Sequence, residues 1–410
     1  MKMEQVINSF MKHPATLWII NKLVGGMPPG RRGSMPHPYK DGYDFEHFKK
    51  FILAETVEGP VPIIELAADC EIMMEVTGWH DFPLDKGKEI IWSMTDMRNL
   101  ASVKAGLNLM DLMVEYSKAV GYDFVTTWMI CELPRTTYQL SSSTVKGSNW
   151  RAWQPEHEGL IANRDNFNNY PWPSTDQIAD FPIDYCAAKM PRGMKVMVFQ
   201  WGIFEDLKLL LGFENMAIKS IEEPELLIDV LENLTILAEA SVDMAAAHPE
   251  VGAIFMAEDM GFNSGTMLNP KFMREHVIPR HKRIVEACHK HGKPFIMHSC
   301  GQISAIMDDL IEVAKIDAKH SFQDNAYPID DWYKKYHDRI GILGGVDMDI
   351  LTRATPEEVG KRTREIIEQC APQGGFAVGC GNTAANYIKI ENYYAMLDET
   401  RKWNEEHGWV

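Results

Sequence analysis

Short apolar runs alternate along this chain with longer stretches whose apolar residues recur at helical spacing. Eight runs stand out: Val61–Glu65, Phe124–Met129, Lys195–Gln200, Ala253–Ala257, Pro294–His298, Ile316–His320, Ile340–Leu343 and Phe376–Gly379. Their lengths and their β-branched and aromatic content predict buried strands. Several segments between them carry helix start signals. Asn269-Pro270 places a capping Asn before Pro at the first helical position, and Thr355-Pro356-Glu357-Glu358 adds acid in the first turn. Strand–helix alternation on this scale predicts an α/β chain folded as a (β/α)8 TIM barrel. An open doubly wound sheet is the alternative, but Gly379-Cys380-Gly381-Asn382 lacks the spacing of a dinucleotide loop.

Two stretches break the rhythm. Residues 1–50 read as an N-terminal helical extension: a helix-like Met3–Val24 leads into the irregular Gly25-Gly26-Met27-Pro28-Pro29-Gly30. Such an arm caps a barrel end or a neighbouring copy, which makes a homodimer an option. Residues 51–410 then form the barrel domain, with a long insertion at about 131–194 that is rich in Ser, Asn, Pro and Trp. It follows the second strand, on the side where barrels do chemistry, and reads as a lid carrying Trp150 and Trp153 as candidate substrate contacts.

Composition narrows the function classes. A formal charge of −17 makes nucleic acid and anionic membranes poor partners, and no apolar run is long enough to span a bilayer. The opening residues do not read as a signal peptide, and seven scattered cysteines fit a reducing cytoplasm. There they serve as core thiols or as ligands. Twenty-five Met and eleven Trp supply core residues and, at some positions, walls for a flat apolar ligand.

The candidate chemistry gathers at predicted strand ends. His298-Ser299-Cys300 and the distant Cys380 form a His/Cys/Cys set, the ligand type zinc takes when it keeps a fourth position open. The bland alternative is a hydrogen-bonded core histidine beside a buried thiol. Glu65, Glu258 and Asp259 stand at other strand ends, to complete the metal site or to position substrate; Glu258, Asp259 and Asp347 are the candidate catalytic acids. Asp347 also suits a loop-orienting role. Glu65 and His320 are candidate substrate contacts, with a structural hydrogen bond the competing reading for His320.

From Ala257 onward the chain resembles the uroporphyrinogen decarboxylase-like superfamily, and within it the zinc-dependent corrinoid methyltransferases. The resemblance is carried by Glu258-Asp259-Met260-Gly261, Leu268-Asn269-Pro270, Ile278-Pro279-Arg280, His298-Ser299-Cys300-Gly301-Gln302-Ile303, Leu343-Gly344-Gly345-Val346-Asp347, Thr355-Pro356-Glu357-Glu358, Gly379-Cys380-Gly381-Asn382 and Glu391-Asn392. It implies a (β/α)8 barrel and zinc held by His298, Cys300 and Cys380. The Arg-Gln-Ala-Gly-Arg stretch that true uroporphyrinogen decarboxylases carry near the N-terminus has no match here; Gly30-Arg31-Arg32-Gly33 differs in residues and setting. Gly345, where many relatives have Asn, is similar to the branch that demethylates methoxylated aromatics. The resemblance thus implies methyl transfer from an aromatic methyl ether to cobalt. No Asp-x-His-x-x-Gly corrinoid signature occurs, so the corrinoid is expected on a partner protein. Transfer from methyl-corrinoid to a thiol of the coenzyme M type, a tetrapyrrole-type decarboxylase, and a zinc-stabilised non-enzymatic scaffold are the alternatives.

Overall fold

The computed structural model describes residues 42–80, 100–131, 133–134, 139–141, 151–153 and 159–410. Its centre is a curled, seven-stranded parallel sheet. We number its strands β1 (Phe124–Trp128), β2 (Lys195–Trp201), β3 (Val251–Glu258), β4 (Phe295–Ser299), β5 (Ala318–His320), β6 (Gly341–Leu343) and β7 (Phe376–Ala377); they lie side by side in chain order. Each neighbouring pair is parallel, and every strand of β3 and β4 is buried along its length, as sheets covered by crossover helices require. Helices Pro224–Ala246, Ile278–His289 and Pro356–Cys370 supply much of that cover.

Seven of the eight expected strands form. The eighth, Val61–Glu65, is reduced to a single parallel bridge from Ile63 to Val378. Ile64 N donates to Val378 O (2.8 Å) and Val378 N donates to Pro62 O (2.9 Å). Proline explains the brevity: Pro60 and Pro62 have no N–H for a ladder. Asn404 on helix Ile390–Glu406 substitutes, its Oδ1 accepting from Val61 N (2.8 Å) and its Nδ2 donating to Val61 O (3.2 Å). Among the described residues no ladder joins this segment to β1. The ring of hydrogen bonds expected of a closed barrel is therefore seen only as a curled sheet plus this bridged segment.

The helix start signals act as predicted. Thr355 and Glu358 form a reciprocal capping box, and the Asn269 side chain accepts from Lys271 N (2.9 Å). Most of the expected N-terminal arm lies outside the described residues, but its last part is helix Phe45–Ile52. This helix closes the N-terminal end of the sheet. Phe45, Phe48, Phe51 and Ile52 are buried, the Phe48 ring lies tilted against Phe124 with centroids 5.3 Å apart, and Gly375 N donates to Phe51 O (2.7 Å). Burying each such side chain contributes about 1.5–3 kcal/mol. With one end plugged, chemistry is left to the other, where the strands finish.

Part of the expected insertion is seen as a two-stranded antiparallel ribbon, Gln139–Ser141 with Arg151–Trp153. Trp150 lies outside the described residues, as does the side chain of Trp153.

Candidate functional site

A cavity of about 550 Å³ opens at the C-terminal ends of β1 to β4. Its walls are mainly apolar, with Trp128, Phe199 and Trp201 among them; the Phe199 and Trp201 rings meet edge to face at 5.2 Å. His298 and Cys300 form part of the same wall.

Strand register brings the histidines together. His298 is paired across the sheet with His320, and their Nδ1 atoms lie 2.8 Å apart. One ring must donate and the other accept, so both cannot be protonated. Burial drives both below the usual histidine range, His320 to about 3 with a further push from Lys319. When the His298 Nδ1–H donates, its Nε2 lone pair is left toward Cys300 Sγ, 3.3 Å away. The Cys300 sulfur also meets Asn382 Nδ2 (3.2 Å) and Ser321 Oγ (3.7 Å). Even so, burial and the nearby Asp259 push its thiol up to about 11. Held protonated in this way, the thiol is a poor free nucleophile, and a cation bound beside it would favour its thiolate form. The turn behind it requires glycine: Gly301 has φ +73°, and a Cβ there would lie 2.1 Å from Gly261 O.

Cys380 occupies a different environment. Its N–H donates to Glu65 Oε1 (2.8 Å), and burial together with the Glu65 charge holds its thiol well above the normal range. Glu65 is buried as well, which pushes its carboxyl up to about 8. Nearby, the hydroxyls of Tyr116, Tyr122 and Tyr393 converge, with Tyr393 at 2.6 Å from Tyr116 and 2.9 Å from Tyr122. The donor types of His298, Cys300 and Cys380 suit zinc, and the first two are neighbours. The third faces Glu65, and among the described residues no set of three His, Cys, Asp or Glu side chains converges to hold a metal ion.

The acids divide into distinct roles. Glu258, the last residue of β3, accepts from Phe204 N (3.2 Å) and Glu205 N (2.9 Å), in the first turn of helix Ile203–Leu211. Its Oε1 also lies 2.6 Å from His281 Nε2, both side chains having no exposure. The carboxylate fits only because residue 202 is glycine: a Cβ there would meet it at 2.1 Å. Asp259 pairs with Lys208 at 2.9 Å, and Lys208 also reaches Glu205 at 2.7 Å. Burial pushes the Glu205 carboxyl up to about 7 in spite of that cation. Asp347 accepts from Asp349 N and Asp324 N, both at 2.7 Å, and so caps helix Met348–Arg353; it does not border the cavity.

Glu205, Lys208, His281 and Asn382 join these contacts without standing at predicted strand ends. Two had visible signals: Asn382 stands two residues after Cys380, and His281 directly follows Ile278-Pro279-Arg280. Lys319 likewise carries no sequence signal: it is a buried amine, its pKa lowered by desolvation to about 7, whose Nζ donates to Ser299 O (3.3 Å), His320 O (3.2 Å) and Ser321 O.

Comparison with known proteins adds to this geometry. The family model for uroporphyrinogen decarboxylase (URO-D) matches residues 179–403. A methylated-thiol–coenzyme M methyltransferase of Methanosarcina mazei is 30% identical over 191 residues, covering 45% of this chain and 47% of the relative. The chain thus matches about half the length of that relative. A solved methyltransferase structure from Methanosarcina mazei superposes with a TM-score of 0.59 at 14% identity, over 88% of this chain and 99% of the other, a likeness of fold.

Proposed function

Because the chain belongs to the uroporphyrinogen decarboxylase (URO-D) family, we propose that it is a zinc-dependent methyltransferase, moving a methyl group from a methoxylated aromatic to the cobalt of a separate corrinoid protein. The observation that carries this reading is the His298–Cys300 pair, 3.3 Å apart in the wall of a tryptophan-lined cavity. A cavity of about 550 Å³ lies within the range of small-molecule sites and has room for a substituted ring.

His298, Cys300 and Cys380 would hold the zinc ion, which when bound supplies a Lewis acid for the ether oxygen. The Cys380 side chain shares a hydrogen bond with Glu65 in this structure, so its joining the other two would mean a change of partner. The protein's own groups supply orientation and a proton. Trp128, Phe199 and Trp201 confine the ring and exclude water, which strengthens every polar interaction left inside. His320 fixes the His298 ring through the Nδ1 contact. Glu205, buried at the cavity and holding its proton up to about pH 7, is suited to protonate the departing phenolate, a poor leaving group without that help. The corrinoid protein would dock over the cavity mouth and present its cobalt to the methyl carbon.

A second reading, methyl transfer from methyl-corrinoid to a thiol, is favoured by the name of the 30% identical relative. One experiment separates them: metal analysis of the purified chain, then incubation with a reduced corrinoid protein and a panel of methoxybenzenes, and in parallel with methyl-corrinoid and thiols. The first reading expects zinc and methyl-cobalt from the ethers. Thiol methylation without ether cleavage would replace it with the second, and porphyrinogen decarboxylation without metal would end both.

A further inference from the structure

The cavity touches both faces of one strand end. Strand register sets Trp201, Ala257, His298 and His320 in one row across β2 to β5, so their side chains share a face of the sheet. Gln200 pairs with Met256 in the row below and points to the opposite face. There its Oε1 accepts from Ser241 Oγ (2.8 Å) on helix Pro224–Ala246. Yet Gln200 and Ser241 border the same cavity as Trp201 and His298. The space therefore bends round the C-terminal end of β2, from the ligand side to the helix side. On the helix side its wall is a stripe: Leu234, Leu237, Ala238 and Ser241 stand at i, i+3, i+4 and i+7 of one helix, and all four are buried. The Ser241 hydroxyl is taken up by Gln200, whose Nε2 donates to Trp201 O (3.0 Å). Bonded at both ends of its amide, Gln200 is a fixed corner, and the stripe beyond it offers mainly methyl groups. Asp206, which also borders the cavity, has a partner of its own. A flat ring cannot follow this bend, whereas a ring with a flexible chain can.

We propose that the outer arm is a subsite for an apolar side chain of the methyl donor. The methoxy end lies toward His298 and Cys300, and a chain of a few carbons on the ring turns round Gln200 onto the stripe of helix Pro224–Ala246. This rests on the methyltransferase reading for the methoxy end, and it narrows the substrate to methoxyarenes that carry an alkyl or alkenyl chain.

The test compares methoxybenzene with 1-methoxy-4-propylbenzene, which share ring and ether and differ by the chain. Binding to the full-length protein is measured by calorimetry, and methyl transfer to a reduced corrinoid protein alongside. Each buried carbon of the chain is worth roughly fourfold in affinity, so the propyl compound should bind on the order of 30- to 100-fold more tightly. Ala238→Phe fills the arm and should remove most of that preference while leaving methoxybenzene nearly unchanged, with circular dichroism confirming the fold. In the wild type, a photoreactive diazirine at the end of the chain should label the peptide that holds Leu234 to Ser241. Equal affinities, a preference that the folded variant keeps, or labelling confined to other segments overturns the proposal. Where Ala238→Phe does not fold, the labelling decides alone. Chain-selective binding and helix labelling with no methyl transfer from any donor removes the methyltransferase reading and leaves the subsite standing. Methyl transfer at equal kcat/KM from both ethers, with no labelling of the helix, does the reverse.

Discussion

Glu258 Oε1 lies 2.6 Å from His281 Nε2, with both side chains fully buried. The contact ties the end of β3 to helix Ile278–His289. Through its two backbone acceptor bonds the same carboxylate also anchors the start of helix Ile203–Leu211. Three elements thus meet on one acid, beside the cavity but with its hydrogen-bonding capacity largely taken up.

Glu258→Ala should therefore act mainly on stability. It strands His281 and two helix N–H groups in the interior, a class of loss that costs about 3–5 kcal/mol. Urea unfolding of wild type and variant measures it. A variant with an unchanged midpoint but abolished methyl transfer would return Glu258 to the catalytic role its position at a strand end first pointed to.

The proposed ligands behave differently. Cys300→Ser replaces a thiol at the cavity wall by a near-isosteric hydroxyl and should change stability by less than about 1.5 kcal/mol. It should nevertheless lower bound zinc well below one per chain and abolish methyl transfer. Cys380→Ser should do the same to the metal, at a larger cost in stability because that side chain is fully buried. Metal analysis with circular dichroism checks both. Full zinc content in either variant would remove that residue from the ligand set.

What was legible beforehand follows from the range of each interaction. The Thr355–Glu358 box and the Asn269 cap span three residues or fewer and are written into the local sequence. Strand positions were legible because buried parallel strands are continuous apolar runs. His298 and Cys300 were found together because only Ser299 separates them at one strand end. The partners of Glu258, His281 and a glycine at 202, were not legible because only the fold brings them to it. Val61–Glu65 has a strand's composition, yet Pro60 and Pro62 cut its ladder to one bridge. The Cys380–Glu65 contact joins residues 315 apart, beyond any local pattern.

Glu205 predicts a pH dependence. Burial raises its carboxyl to about 7 from an ordinary value of 4.5. The folded protein therefore holds this proton between those values while the unfolded chain releases it, so its contribution to stability falls as pH rises from about 4.5 to 7. Relative to Glu205→Gln, the wild type should lose stability across that window, on the order of 1–3 kcal/mol. As a general acid the same group works in its protonated form, so ether cleavage should decline above about pH 7 in the wild type. In Glu205→Gln it should be slower by on the order of 100-fold and flat in that range. A declining profile retained in the variant would assign the proton to another group.

Lys319 offers a test of how the ligand loop is held. Its amine, buried against the Phe322 ring at 4.2 Å and the Trp332 ring at 4.9 Å and with its pKa lowered by that burial to about 7, bridges the Ser299 carbonyl at the end of β4 and the Ser321 carbonyl just after β5. Cys300 stands just after the first of these strands and Ser321, at φ +84°, just after the second. A serine in that region is strained, and the Lys319 bond to Ser321 O helps to hold it there. Lys319→Met preserves length and apolar packing but deprives three buried carbonyls of a donor. It should cost about 2–4 kcal/mol and, by loosening the loop under Cys300, weaken zinc binding measured by chelator competition. Lys319→Arg should not restore metal affinity, because a planar fork cannot follow three carbonyls around a point charge. If Lys319→Met lowers the unfolding midpoint while chelator competition is unmoved, the residue supports the fold alone and the loop keeps its shape by other means.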